Sequence, residues 1–359
     1  MSQFADIYRG RRVLLTGHTG FKGSWLALWL ETLGATVTGI ALDPETQPSH
    51  WALAAPQVGD LRQDIRDAER LAAAVARHDP EIVFHLAAQP LVRRSYREPL
   101  DTWSTNVMGT ANLLEACRKL PSLKAVVIVT TDKCYANQEW ERGYREDDRL
   151  GGHDPYSASK AATELLADSY RKAFFDPAGG VLLATARAGN VVGGGDWSVD
   201  RLIPDLIRAV GAGRPLEIRS PRATRPWQHV LESLSGYLML GQALLEGRKD
   251  KARAWNFGPD RDGNRTVEEV LGRMTAHWPA LVWQVSQSPQ PHEAGLLYLD
   301  SSLAHDALGW RPVWPLEQTL AATAAWYRAW QEGGNILSRE QLAAYVADAR
   351  AAGLAWSGG

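Results

Sequence analysis

The stretch 12-RVLLTGHTGFKGSWLALWLETLG-34 decides the fold. The apolar run at 12–17 reads as a buried strand, and 24–34 reads as a helix closed at its C-cap by Gly34. Between them Gly17, Gly20 and Gly23 stand in a G-x-x-G-x-x-G pattern. A chain crossing from strand to helix over such glycines turns tightly and lets a pyrophosphate approach the backbone. It also aims the helix N-terminus at that charge. A glycine triplet alone is a common turn. At the first strand–helix junction of an alternating chain it becomes a dinucleotide-binding loop, with His18, Phe21 and Lys22 as its other candidate contacts.

The alternation continues outward. Strand-like runs follow at 36–42, 81–88, 125–131 and 181–189, with helical stretches at 67–78, 101–120 and 155–174. Near-continuous apolar strands separated by helices predict a Rossmann-type, doubly wound parallel α/β sheet over residues 1–190. Beyond 190 the order loosens into loops such as 193-GGGDW-197 and 219-RSPRATRPWQ-228. Residues 191–359 are expected to form a smaller α/β lobe that mainly binds substrate, with some chain crossing back to the first domain. The terminal 355-AWSGG-359 is expected to fray.

Composition narrows the function. The chain has 359 residues with 39 basic and 41 acidic side chains, a net charge of −2, and no concentrated positive charge of the kind that nucleic acid selects. No apolar run is long enough to span a bilayer, and MSQFADIYRGRR has no apolar core of a signal peptide, so a cytoplasmic protein is expected. The two cysteines, Cys117 and Cys134, make neither a disulfide framework nor a zinc spacing, and no metal is expected. The 15 tryptophans read as core and interface filler.

Two stretches carry chemistry. In 125-AVVIVTTDKCY-135 a buried strand ends abruptly in Thr130, Thr131, Asp132 and Lys133. Parallel sheets place ligands at the carboxyl ends of their strands, so this is either a catalytic edge or a polar exit. In 155-PYSASKAATE-164, Tyr156 and Lys160 fall one helical turn apart on one face. A phenol, with a reference pKa of about 10, needs a nearby cation to ionise near neutrality. Lys160 together with a bound nicotinamide cation supplies that charge, and the phenolate can then take a proton from a sugar hydroxyl. NAD is favoured over NADP. Ala41 holds the position where an acid usually reads the ribose, but Asp43 follows two residues later and no arginine stands nearby in the sequence. Asp64 and Ile65 fit either an adenine contact or an ordinary acidic loop.

The glycine loop, Thr131 at a strand end and Tyr156-x-x-x-Lys160 together resemble the extended short-chain dehydrogenase/reductase family over nearly the whole chain. The element 131-TDK-133 is similar to that of its nucleotide-sugar 4,6-dehydratase branch. The runs 17–30, 135–148 and 225-RPWQHVLE-232 resemble most the members acting on CDP-glucose. The resemblance implies transient oxidation at C4, elimination of water across C5 and C6, and return of hydride to C6. Asp132 and Lys133 would then be an acid–base pair, in either order, with Asp132 preferred as acid and Lys133 as base. Leu86, Ala87, Ala88 and Thr130 join the implied cofactor contacts. Gln89, Ser95, Asn190, Arg201, Arg225 and Glu293 are the implied contacts to the nucleotide sugar. Asn106 is implied as an organiser of the active-site end of its helix, and a homodimer or homotetramer is implied as the assembly.

Overall fold

A computed structural model describes residues 2–175, 180–218, 220–286 and 296–358. Its first half runs β1 (Arg12–Thr16), α1 (Phe21–Thr32), β2 (Thr36–Ala41), α2 (His50–Ala54), β3 (Gly59–Arg62), α3 (Ala68–His78) and β4 (Ile82–His85). Then come α4 (Val92–Arg97), α5 (Pro99–Trp103), α6 (Gly109–Cys117), β5 (Ala125–Val129), α7 (Pro155–Tyr170) and β6 (Leu182–Ala188). The second half contributes β7 (Asn190–Val192), α8 (Leu202–Gly211), β8 (Leu216–Ile218), β9 (Thr224–His229), α9 (Val230–Leu245) and β10 (Ala254–Phe257). It ends with β11 (Asn264–Thr266), α10 (Val267–His277), β12 (Trp283–Val285), α11 (Leu316–Gly333) and α12 (Ser338–Ala351).

Seven parallel strands make the main sheet in the order β10-β6-β5-β4-β1-β2-β3. This is the expected doubly wound sheet. β4 and β5 are buried along their whole length, as apolar β-branched runs between two helical layers must be. The chain reverses direction of winding between β1 and β4, so the crevice for a ligand opens at the carboxyl ends of these two strands. Over those ends lie a three-stranded sheet, β11-β9-β7, and a two-stranded one, β12-β8. β10 and α9, both from the second half, return to the main sheet, α9 packing on β5 and β6. No helix among the described residues is long and apolar enough to cross a membrane.

Two features depart from expectation. The helix expected over 101–120 is broken by a widened π-type segment, Ser104–Met108, between α5 and α6. That widening turns Asn106 inward and frees its carbonyl for the Thr110 and Thr163 hydroxyls at 2.7 and 3.0 Å. The C-terminal residues do not fray. Trp356 is buried, stacks on Phe4 at 5.1 Å and meets Trp29 edge-on. α1 is therefore buried from Gly23 to Leu30, because the sheet covers one side and the C-terminal elements cover the other. The tryptophans fill that seam: Trp25 donates to the Gly194 carbonyl, Trp326 to Ser338, and Trp310 to Ser235.

Beneath the seam lies a carboxylate with no cation against it in its hydrogen-bond set. Glu232, in the first turn of α9, accepts from Trp314 N at 2.7 Å, Val313 N at 3.0 Å and the Tyr345 hydroxyl at 2.7 Å. Burial pushes its carboxyl up to about 7 from 4.5, against the pull of those three donors. The folded state then holds a proton that the unfolded chain releases. Its contribution to stability is full below about pH 4.5 and is lost as pH rises towards 7. Both carboxylate oxygens face backbone N–H donors, so an amide at this position sets one N–H against another. Glu232→Gln is expected to destabilise the fold by about 1–3 kcal/mol and to flatten this slope, as read by chemical denaturation from pH 5 to 8.

Candidate active site

The glycine loop is a cradle that side chains would fill. Gly17 has φ +76°, and a Cβ there would lie 2.6 Å from Ala87 N; one on Gly23 would lie 2.0 Å from the Gly17 carbonyl oxygen. Gly20 is the N-cap of α1 and has no side chain to cap it, so the first-turn amides remain open to an anion. These features fit the pyrophosphate of a dinucleotide. Gly17→Ala is expected to weaken NAD binding at least about tenfold, by left-handed strain of roughly 1–2 kcal/mol together with overlap on Ala87. Calorimetric titration checks this.

His18 turns away from the loop. Its ring is buried against Gly39, where a Cβ would lie 2.3 Å from it, and its Nε2 meets Asp60 at 2.8 Å. Burial keeps the imidazole pKa low in spite of Asp60. Lys22 points from the first turn of α1 towards α9, with its ammonium 3.4 Å from the Tyr237 hydroxyl. Burial, Arg201 and Lys160 pull the Lys22 pKa down to about 7, Asp132 and Asp196 opposing them. Lys22, Arg201 and Lys160 thus feel one another's charge, with Asp132 and Asp196 offsetting it. Phe21 packs beside Gly193 and the apolar core.

The strand-end residues meet where the topology brings them. Thr131 extends the chain beyond β5 and caps a single turn, Asp132–Cys134. Its hydroxyl donates to Asp132 Oδ1 at 2.9 Å and, lying near the Tyr156 phenol, lowers the phenol's pKa. Asp132 Oδ2 is buried and has no hydrogen-bond partner. Tyr156 and Lys160 are placed by the start of α7, where Asp154 caps the helix through Ser157 N at 2.9 Å and Pro155 occupies the first turn. Burial lifts the Tyr156 phenol to about 12, while Thr131 lowers it and Asp132 raises it. Burial lowers the Lys160 ammonium to about 8, and its Nζ donates to the Val129 carbonyl at 3.3 Å. The cation that reaches the phenol within the protein is Arg201.

Two buried networks escaped the sequence reading. Thr16 Oγ1, His85 Nδ1, His85 Nε2 and Thr110 Oγ1 form a chain with contacts of 2.6 and 2.9 Å, continuing to the Asn106 carbonyl. The Asn106 side chain accepts from Gln89 N at 2.8 Å and donates to Ser159 Oγ at 2.9 Å, so it ties the β4 exit to α7. On the other side Glu164 accepts from Thr130, from Thr185 at 2.7 Å and from Arg187 at 2.8 Å. Glu164 follows Lys160 by one turn, and that spacing was its only sequence signal. Arg187 belongs to the core, not to a phosphate site.

The remaining candidates are distributed unevenly. Ala87 N donates to Thr16 Oγ1 at 3.2 Å, and Leu86 N donates to the Thr16 carbonyl at 3.1 Å; Ala88 follows at the same edge. Gln89 spends its amide on Leu91 and Thr102, and Ser95 is buried with its hydroxyl on the Val92 carbonyl. Arg201 pairs with Asp196 at 2.9 Å. Asn190 opens β7 beside Trp227 of β9, and Arg225 lies on the same small sheet. Asp64 pairs with Arg66 at 2.6 Å, while Ile65 is buried against Gly109. Asp43 is exposed, and an arginine does stand near it: Arg62 Nε lies 3.7 Å away, brought there by strand pairing and not by sequence proximity. Cys134 is buried, which pushes its thiol up and leaves it inert. Glu293 lies outside the described residues. Among the described residues no cluster of three or more His, Cys, Asp or Glu could hold a metal.

The chain is similar to known proteins in sequence and in fold. The chain is 48% identical over 352 residues to the CDP-glucose 4,6-dehydratase of Salmonella typhimurium, covering 95% of this chain and 98% of that protein. It is 26% identical to a dTDP-glucose 4,6-dehydratase of Xanthomonas campestris, covering 89% and 95% of the two chains. Among solved structures, the UDP-glucose 4-epimerase of Thermotoga maritima superposes with a TM-score of 0.77 at 24% identity, covering 89% of this chain and 100% of that one. The dTDP-glucose 4,6-dehydratase of Bacillus anthracis gives 0.73 at 23%, covering 90% and 98%. The profile described as GDP-mannose 4,6 dehydratase matches residues 14–323, and the chain belongs to that family.

Proposed function

We propose that this protein is an NAD-dependent hydro-lyase that converts CDP-D-glucose to CDP-4-dehydro-6-deoxy-D-glucose and water. The observation that carries the reading is the Thr131–Asp132–Lys133 turn set against Tyr156, with one Asp132 oxygen buried and unpartnered. An epimerase or simple dehydrogenase needs Tyr156 and Lys160 but has no use for a second acid–base pair. The 48% identity to a CDP-glucose 4,6-dehydratase supports the substrate.

The residues divide the work as follows. NAD, held along the Gly17–Gly23 loop, would supply the hydride acceptor at C4 and the hydride donor at C6. Tyr156 takes the C4 hydroxyl proton, with Thr131 bridging phenol and sugar. Lys160, lowered to about 8 and donating to the Val129 carbonyl, would hold the nicotinamide ribose and bring positive charge to the phenol. The resulting C4 ketone acidifies the C5 proton. Lys133 removes that proton, and Asp132 donates one to the departing C6 hydroxyl, which leaves as water. After hydride returns to C6, Lys133 gives its proton back to C5. Residues 1–190 supply this machinery, and 191–359 mainly hold the nucleotide sugar. Arg201, Arg225 and Asn190 stand at the diphosphate, since guanidinium groups bind phosphate oxygens in pairs. Glu293 is assigned to the nucleotide ribose. Gln89 and Ser95 shape the sugar pocket through the backbone turns they hold.

Two further assignments complete the reading. The two cysteines are unpaired and buried, which suits the cytoplasm. Leu100, Trp103, Met108 and Leu165 present exposed apolar surface on α5, the segment after it, and α7, which suits a homodimer or homotetramer. Sedimentation of a monomer at working concentration would sink that assembly.

The function is tested by a turnover screen. Purified protein is incubated with catalytic NAD and, separately, CDP-, dTDP-, UDP- and GDP-hexoses. Loss of one water from CDP-glucose without net NADH is expected. Water loss from another nucleotide moves the substrate, and isomerisation without water loss makes the protein an epimerase.

A further inference from the structure

The end of β2 offers Ala41 where an acid would read the adenosine ribose, and the structure sets Arg62 directly beside it. Ala41 and Arg62 are register partners on the parallel strands β2 and β3. The guanidinium reaches over the exit of β2 and is held in three places. Nη1 donates to the Leu42 carbonyl at 3.1 Å, Nη2 donates to Asp60 Oδ2 at 2.8 Å, and Nε lies 3.7 Å from Asp43 Oδ1. From the glycine loop, the Thr19 hydroxyl donates to the same Leu42 carbonyl at 2.9 Å. Arg62, Thr19 and Asp43 therefore border the ground beyond Ala41. A dinucleotide lying along the loop places the 2′-position of its adenosine there.

The holds are unequal. Asp60 is fixed from behind, because its other oxygen meets the buried His18 ring at 2.8 Å. Asp43 is 88% exposed, and an ion pair so exposed holds its partner weakly. The Nε side of Arg62 is thus guarded by a carboxylate that can swing away, while Asp60 and Leu42 keep the guanidinium in place.

We infer that Arg62 and Asp43 together set selectivity at the cofactor's 2′-position, Arg62 being a ready partner for a 2′-phosphate and Asp43 the group that opposes it. The inference rests on the dinucleotide-binding reading above. With NAD, Asp43 accepts from the ribose hydroxyls. With NADP, the phosphate takes the Nε side of Arg62 and Asp43 turns to solvent. A guanidinium suits phosphate oxygens in geometry as well as charge. The protein accordingly binds NADP as well as NAD, with a modest preference for NAD.

The test is calorimetric titration of the purified, cofactor-free protein with NAD and with NADP, for wild type, Arg62→Gln and Asp43→Asn. In the wild type NADP is expected to bind about tenfold more weakly than NAD. Arg62→Gln should weaken NADP by about tenfold or more and leave NAD within about twofold. Asp43→Asn should move the ratio several-fold towards NADP, and it decides the matter if Arg62→Gln does not fold. NADP binding undetectable beside tight NAD binding overturns the inference. So does equal weakening of both cofactors in Arg62→Gln, which would make Arg62 a support for Asp60 and His18. Failure to bind either dinucleotide would overturn the proposed function as well.

Discussion

Tyr156→Phe is expected to lower turnover of CDP-glucose by about 10²–10⁴-fold, the usual worth of a positioned proton acceptor, while NAD binding survives. The ring is buried at the start of α7, where phenylalanine fills the same volume, so the fold should be unaffected. What disappears is the phenolic oxygen, whose pKa Thr131 helps to lower. In the protein alone the phenol sits at about 12, lifted first by burial and then by Asp132. Working near neutrality therefore requires positive charge to arrive with the cofactor and with Lys160. Lys160→Met should shift the acid limb of the kcat profile upward, whereas Tyr156→Phe should remove the limb altogether. A Tyr156→Phe protein that loses water from CDP-glucose within a fewfold of wild type would place the first proton transfer elsewhere.

The parts of this site that were legible in the sequence are those whose geometry is local. Gly17, Gly20 and Gly23 show their cradle through spacing alone, because the loop contacts that forbid a Cβ lie within one strand–helix junction or at the adjoining strand end. Tyr156 and Lys160 share a face for the same reason. The parts that were hidden depend on strand order. Arg62 stands beside Ala41 only because β3 pairs with β2, and a search for arginine near Asp43 in sequence misses it. The line from Thr16 through His85 and Thr110 to Asn106 joins residues from two strands and two helical segments, and each looks unremarkable in its own stretch. Arg187 is another residue whose partner is set by strand order. Its strand is interior, and a buried guanidinium needs a carboxylate, which Glu164 provides. The buried tail was missed because Trp356 finds Phe4 and Trp29 at the opposite end of the chain.

Replacing Asp132 with Asn and Lys133 with Met should separate the two halves of the reaction. Oxidation at C4 uses Tyr156, Lys160 and Thr131, so the double variant should still draw hydride from CDP-glucose and hold reduced cofactor, seen as near-ultraviolet absorbance at stoichiometric enzyme. Loss of water should fall about 10²–10⁴-fold. The single variants then assign the roles. If Lys133 is the base, Lys133→Met should stop exchange of the C5 hydrogen with heavy water, while Asp132→Asn should permit exchange and slow only the departure of the C6 hydroxyl. The opposite pattern exchanges the two roles. In the proposed reading Asp132 is the acid. Its Oδ1 is fixed by the Thr131 hydroxyl at 2.9 Å, and its buried Oδ2 is unpartnered, facing Gly189, where a Cβ would stand only 3.1 Å away. Lys133 is half-buried and its backbone N–H is spent on Thr131, so its side chain is the part of it available for C5. A double variant that sheds water at the wild-type rate would show that elimination needs neither residue, and the turn after β5 would then be structural.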